Sequence, residues 1–420
     1  MKTDAEYACE LDRDDELAPF RDQFIIDHDD LIYLDGNSLG RLPRRTAGRI
    51  AEVTGHEWGG RLVRGWTDGW FTAPQRIGAK IARLIGAEPD EVIVADSTSA
   101  NLFKLAVATL QCRSDRRAIV TDDLNFPSDL YVLDGAIRLC GPGHRLTVAR
   151  SPDGISLPLA ELTGRIGPDT ALVALTHTAF KSGYVHDMAA ISSAARRVGA
   201  WSLWDLSHSV GVMPISLGEL GVELAVGCTY KYLNGGPGAP AFLFVRRDLQ
   251  DKLLNPIWGW FSARGQFDFA LQYSPDSGMR RFQTGTPPIL SLSAVEPGVD
   301  LVLEAGVDRI RAKSVRQTEY LIELWRELLQ PLGVRLNSPL DPAQRGSHVS
   351  LGHVEGLRIA RALVDAMKVI PDFRAPDNIR FGVSPLYTSF QELHEAITRF
   401  RRVLTERLYE KYPTDRPVVT

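Results

Sequence analysis

Gly227-Cys228-Thr229-Tyr230-Lys231-Tyr232-Leu233-Asn234-Gly235-Gly236-Pro237-Gly238 sets one lysine among small residues, aromatics and glycines. An apolar run, Ala239 to Val245, follows it. No Arg or Lys lies close before Lys231, and no acidic residue lies close on either side. A surface lysine ordinarily has polar company, so this one reads as set into a pocket wall. Desolvation there lowers the pKa of an amine and makes it a nucleophile or a proton shuttle. Upstream, Trp204-Asp205-Leu206-Ser207-His208-Ser209 closes an apolar run and supplies a carboxylate and an imidazole.

The 420 residues suffice for a large core and two domains. The 44% apolar and 24% charged residues are those of an ordinary globular protein. A net charge of −4 gives no reason to expect nucleic acid or an anionic membrane as partner. Residues 1–16 lack the basic and apolar regions of a secretory signal, and no uncharged apolar run approaches the length of a membrane span. Cys9, Cys112, Cys140 and Cys228 are scattered without metal-ligand spacing, which argues against a disulfide framework or a zinc site. A reducing cytoplasm is the simplest setting.

From about residue 74 the chain alternates strand and helix. Strands are predicted at 31–34, 92–94, 118–121, 145–149, 171–175, 201–204 and 241–245. Helices are predicted at 44–58, 74–85, 102–110 and 187–198. This order describes a mostly parallel sheet with helices on both faces, and ligands bind such sheets beyond the carboxyl ends of the strands. Thr98, Asp129, Thr176, Asp205 and Lys231 all follow apparent strands. Asp96-Ser97-Thr98-Ser99 reads as a helix cap or as a phosphate cradle, since a helix N-terminus carries orphan donors. Asp35-Gly36-Asn37-Ser38 reads as a plain turn or a binding loop. Residues 247–288 are aromatic without periodicity, as in a segment ordered by packing on a second subunit. Residues 289–329 read as helical with a break near Gly306. Strand, strand, helix, strand, helix then follow at 334–336, 348–351, 358–367, 379–383 and 390–409, a small α/β unit. The expected divisions are an N-terminal segment 1–60 packing on the small domain and active site, a large domain 61–305 and a small domain 306–420.

An Asp at a strand end followed by a secluded Lys is what a pyridoxal phosphate enzyme needs: the Lys for a Schiff base, the Asp for the pyridine nitrogen. Over about residues 16–400 the chain resembles the kynureninase family, pyridoxal phosphate enzymes of the aminotransferase-like fold type I. The resemblance is carried by Leu34-Asp35-Gly36-Asn37-Ser38-Leu39-Gly40, Asn125-Phe126-Pro127-Ser128-Asp129-Leu130-Tyr131, Trp204 to Ser209, Gly227 to Gly238, Gly285-Thr286, Arg380-Phe381-Gly382 and Pro385-Leu386-Tyr387.

The resemblance implies Lys231 as the Schiff-base lysine, Asp205 at the pyridine nitrogen and His208 beside the cofactor. It implies Phe126 stacked on the ring within Phe126-Pro127-Ser128-Asp129. Ser97, Thr98, Asp129 and Tyr230 would gather at the phosphate, and Thr176 at the ring. Trp260 and Thr286 would reach the phosphate from the second subunit of a homodimer. Arg380 would clamp the substrate carboxylate, with Ser38 and Trp66 near the aromatic end. The implied reaction is hydrolysis of L-kynurenine to anthranilate and L-alanine, in tryptophan catabolism and NAD biosynthesis. Tyr230 stands as proton donor or as phosphate ligand.

Two departures bear on substrate choice. Ala179-Phe180 stands where the family often has Asn and Tyr, and Ser97 where some members have Leu. They keep open a hydrolase acting on a substituted kynurenine. Another fold type I lyase or epimerase is a further alternative. A desulfurase needs a cysteine on a mobile loop, and Cys228, three residues before Lys231, reads as structural. A non-catalytic binding protein on this fold would have lost Lys231 or Asp205.

Overall fold

The computed structural model describes residues 2–28 and 30–415. Seven apolar runs build its central sheet: β1 (Val92–Val94), β2 (Ala118–Asp122), β3 (Arg145–Ala149), β4 (Thr170–Thr176), β5 (Trp201–Asp205), β6 (Leu224–Gly227) and β7 (Phe242–Val245). Their spatial order is β1-β7-β6-β5-β4-β2-β3. The pairings from β3 across to β6 are parallel; β7 is antiparallel to both β6 and β1.

Every residue of β4 is buried, which is why its sequence is a continuous apolar run rather than an alternating one. Successive side chains point to opposite faces. Leu172, Ala174, Leu203, Leu224 and Val226 meet α1 (Thr98–Cys112) and α2 (Pro127–Cys140) on one face. Val173, Leu175, Trp204 and Ala225 meet Met188–Arg197 and α3 (Ile289–Ala305) on the other. The sheet is therefore mostly parallel with both faces covered. The predicted helix at 102–110 begins four residues earlier, because the Ser97 hydroxyl caps it by accepting from Ala100 N.

The helical run breaks at Gly306, whose φ of +81° suits glycine, and resumes as α4 (Val307–Leu324). Beyond it, β8 (Arg335–Leu336), β9 (His348–Gly352), β10 (Asp372–Arg374) and β11 (Asn378–Gly382) form an antiparallel sheet in the order β10-β11-β9-β8. Its core takes in Ala8, Leu11, Ile32 and Leu34 from the start of the chain. Ile32–Tyr33 also pairs in parallel with Val369–Ile370. Neither β10 nor Val369–Ile370 is predicted from sequence. Asp372-Phe373-Arg374 lies between Pro371 and Pro376, and its charged residues face inward, so no apolar alternation marks it.

The turn after β6 carries Lys231 and is braced from two sides. Gly40 N donates to Tyr230 O at 2.8 Å, and Thr229 Oγ1 donates to Pro240 O at 2.7 Å. On the far side Gly298 of α3 lies so close that a Cβ there would overlap the carbonyl oxygen of Leu233. Gly298→Ala gains about 1 kcal/mol of helix propensity. The overlap with backbone outweighs it, and a net loss of about 2 kcal/mol is expected. Thermal unfolding should show a lowered Tm; an unchanged or raised Tm would mean that α3 moves aside freely.

Candidate active site

A cavity of about 240 Å³ lies at the carboxyl ends of the parallel strands. The central sheet supplies Thr98, Phe126, Asp129, Asp205, His208 and Lys231. The N-terminal segment adds Asn37 and Ser38, and the small sheet adds Arg374 and Arg380.

Lys231 Nζ stands 3.2 Å from Nε2 and 3.4 Å from Nδ1 of His208. Burial pulls the lysine pKa down, and Cys228 and Asp205 oppose it. Burial, with Lys231 next, holds His208 well below the usual imidazole range, so the ring is neutral. Asp205 Oδ1 accepts from Ser207 N at 2.9 Å and Ser207 Oγ at 2.6 Å. Ser207 Oγ in turn accepts from Cys228 N at 3.0 Å, which ties the end of β5 to the lysine turn. Burial raises Asp205 against these contacts. Asp129 lies against it, and burial together with the Asp205 charge raises Asp129 well above the usual range. Asp129 therefore keeps its proton and shares it with Asp205.

The N-termini of α1 and α2 both open here, with the hydroxyls of Thr98, Ser99 and Ser128 lining the cavity. Each brings unpaired N–H groups and a positive dipole end, the ordinary setting for a phosphate. Phe126 is 42% exposed, and Phe180 packs edge-on against it at 5.1 Å.

Arg380 is 1% exposed and is held by four partners. It donates to Asp372, to Phe180 O and, at 3.0 Å, to Ser38 Oγ. Asn37, oriented to satisfy both its ends, accepts from Arg380 Nε at 2.9 Å and donates to Asp35 Oδ1 at 3.3 Å.

These groups fit pyridoxal phosphate. The amine would meet its aldehyde carbon, Phe126 its ring face, and the two helix ends its phosphate. Two touching buried carboxyls call for a cation, which a protonated ring nitrogen supplies. Among the described residues, no group of three His, Cys, Asp or Glu side chains is placed to hold a metal ion.

A family model described as "Kynureninase C-terminal domain" matches residues 310–400. The kynureninase of Pseudomonas fluorescens is 42% identical over 404 residues, covering 95% of each chain. That of Burkholderia mallei (strain SAVP1) is 42% identical over 409 residues, covering 96% of each. This chain belongs to the kynureninase family. Among solved structures, the apo cysteine desulfurase of Thermococcus onnurineus NA1 aligns over 94% of this chain and 98% of its own, with a TM-score of 0.77 at 20% identity. A C-DES mutant with glycine covalently linked to its PLP cofactor aligns over 91% and 98%, with a TM-score of 0.79 at 18% identity. At such identities the likeness shows the aminotransferase-like fold alone.

Of the residues that kynureninase resemblance singles out, ten line one cavity: Ser38, Thr98, Phe126, Ser128, Asp129, Asp205, His208, Tyr230, Lys231 and Arg380. Ser97 and Pro127 act at the helix starts behind it. Asp129 lies against Asp205. Thr176 ends β4 with its hydroxyl given to Thr178 O at 3.1 Å. Trp66, Trp260 and Thr286 lie outside the cavity of their own chain. Trp66 packs on Phe261 at 5.4 Å, and Trp260 packs on the same ring at 5.3 Å. Asn37, Ser99, Asp372 and Arg374 join the site without having been singled out. The first two stand inside tracts that also read as a plain turn and a helix cap, and nothing in the sequence set them apart from their neighbours.

Asp35 backs this group. Burial, then Asp372, raises its carboxyl to about 6, against Ser38, Arg380 and Arg374. A carboxyl raised on folding stabilises while it stays protonated, and that contribution is lost as pH rises through the folded value. Asp35→Asn is neutral at every pH. Its stability relative to wild type should therefore climb between pH 4 and 7, by up to about 3 kcal/mol. Denaturant melts across that range measure this; a flat or falling difference would contradict it.

Proposed function

We propose that this chain is a pyridoxal phosphate-dependent hydrolase that cleaves the Cβ–Cγ bond of L-kynurenine to give anthranilate and L-alanine. The observation that carries the reading is the shared cavity of Lys231, Asp205 and Arg380. It joins an amine-handling centre to a guanidinium for an α-carboxylate, in a chain 42% identical to kynureninases over nearly its full length. An α-amino acid fits both ends of that arrangement.

Bound pyridoxal phosphate supplies an electron sink for charge developing at the substrate Cα. Lys231 would hold it covalently, then use its Nζ, whose pKa burial lowers, to take the Cα proton and carry it away. Asp205 would keep the ring nitrogen protonated, with Asp129 sharing the charge. Phe126 would stack on the ring. Ser97, Thr98, Ser128 and the two helix N-termini would hold the phosphate, and Thr176 would stand behind the ring. Arg380 and Ser38 would orient the substrate. Cys228 and burial push the Tyr230 phenol up, so it stays protonated. It can therefore donate near the γ-carbonyl or the released β-carbon, or to the phosphate, but it cannot serve as a base near neutral pH.

Ala179 and Phe180 favour a second reading, cleavage of a ring-substituted kynurenine, because Phe180 gives the cavity an apolar wall beside Phe126. Desulfurase chemistry has no cysteine to use: Cys228 is buried behind Asp205, and no cysteine lines the cavity. Fluorescent anthranilate should form from L-kynurenine, and Lys231→Ala should lose both turnover and the cofactor absorbance of the anchored lysine. Absorbance unchanged by the substitution would remove Lys231 from its role. Cleavage of a substituted kynurenine but not of kynurenine would favour the second reading.

We also propose a homodimer that shares its active sites. Phe267, Phe269 and Leu271 are 63%, 74% and 104% exposed beside Trp260, an unusual apolar surface for a lone chain. Trp66 and Trp260 pack on the same ring, Phe261, and Trp260 and Thr286 would serve the partner's cavity. Residues 1–60 would form an N-terminal segment packing on the small domain and the active site. Four free cysteines, two of them exposed, fit a reducing compartment, so we place the enzyme in the cytoplasm. No described helix is long and apolar enough to cross a membrane. Phe269→Glu with Leu271→Glu should convert dimer to monomer in light scattering and weaken cofactor retention at least tenfold. A dimer that persists with full cofactor would place the interface elsewhere.

A further inference from the structure

We propose that Asp372 is the positioning residue for recognition of the substrate carboxylate: it fixes the Arg380 guanidinium and holds Arg374 beside it in the same cavity. The proposal rests on the reading of Arg380 as carboxylate clamp.

The strand register makes the arrangement. Asp372 of β10 stands directly opposite Arg380 of β11. Period-two alternation puts Arg374 on the same face of β10 as Asp372. Both arginines line the cavity, so this is the face turned toward Lys231. Asp372 ion-pairs with Arg380 and, through Oδ1 at 3.0 Å, with Arg374 Nη1. Its side chain is 5% exposed and that of Arg380 2%. A carboxylate so buried is costly unless its partners are held, and these are.

The contacts of Arg380 show what Asp372 does. Its Nε serves Asn37, one Nη serves Phe180 O, and the other serves Ser38 and Asp372. Ser38 and Phe180 O are neutral acceptors. Asp372 is the charged one, and it sits on the side of the guanidinium that its strand dictates. It therefore sets the plane in which the remaining donor faces the cavity. Asp372 is thus expected to act on the carboxylate through Arg380, without touching the reacting atoms.

The test compares L-kynurenine with its α-carboxamide in the cofactor-loaded enzyme. Asp372→Asn keeps the shape and removes the charge. It should raise KM for the acid about tenfold or more, leave kcat within about threefold, and leave the cofactor absorbance unchanged. KM for the amide should barely move. Arg380→Ala should lose the discrimination between acid and amide, and adding Asp372→Asn to it should cost nothing further. Asp372→Glu keeps the charge one methylene away and should recover part of the acid preference. Should the Asn variant fail to fold, the Glu variant carries the test through its own intermediate loss of acid preference. Equal KM effects on acid and amide, or additive effects in the double variant, would overturn the role of Asp372 while leaving Arg380 in place. Discrimination that survives Arg380→Ala would instead remove the clamp itself.

Discussion

An amine withdrawn from water is the constraint on which the rest of this molecule depends. Lys231 loses hydration at the end of β6, and the fold must make that loss useful rather than merely expensive. It does so with a neutral imidazole at 3.2 Å, with Asp205 on the neighbouring strand and with Asp129 at the start of α2. Each member of the set shifts the others. Asp205 would be costly alone, so Ser207 and Asp129 take its lone pairs; Asp129 would repel it, so it keeps its proton. The parallel sheet is what allows this. Strands ending on one edge deliver several polar groups to one place without crossing the core.

Much of this was legible in the sequence because the chemistry sits at strand ends, where apolar runs stop abruptly. Trp204-Asp205 and Gly227 to Lys231 announce themselves that way. The aromatic tract around Trp258 to Leu271 was also legible, as apolar residues lacking a periodicity that would bury them within one chain. Trp258, Trp260, Phe267, Phe269 and Leu271 remain exposed in the single chain, while Phe261 is buried. What escaped the sequence was the short strand Asp372–Arg374. Its charges point inward because they meet other charges, and that reversal of the ordinary pattern cannot be read without the register against Asn378–Gly382. Asn37 escaped for a related reason. Its amide matters only once Arg380, far away in sequence, is brought against it.

Placement at the phosphate end was less legible than identity. Residues of the right type at a helix start are common, and only the convergence of two helix N-termini on one cavity separates a cradle from a cap. Trp66 is the opposite case. Its aromatic company was evident, but its own loop packs it on Phe261 with Trp260, outside the cavity of its own chain.

The lysine and the carboxylate-binding arginine belong to different sheets. Lys231 follows the large sheet, and Arg380 stands on the small one, with the segment through Gly40 bridging them at Tyr230. A bound amino acid that engages both would work as a clasp. Its own backbone atoms would add a tie between two bodies that already meet where Ser338 Oγ donates to Ser182 O, Gly346 N to Gly183 O and Tyr232 Oη to Ser347 O. Occupancy would then make the whole molecule more rigid, and the protein would hold its shape most firmly while it is turning over.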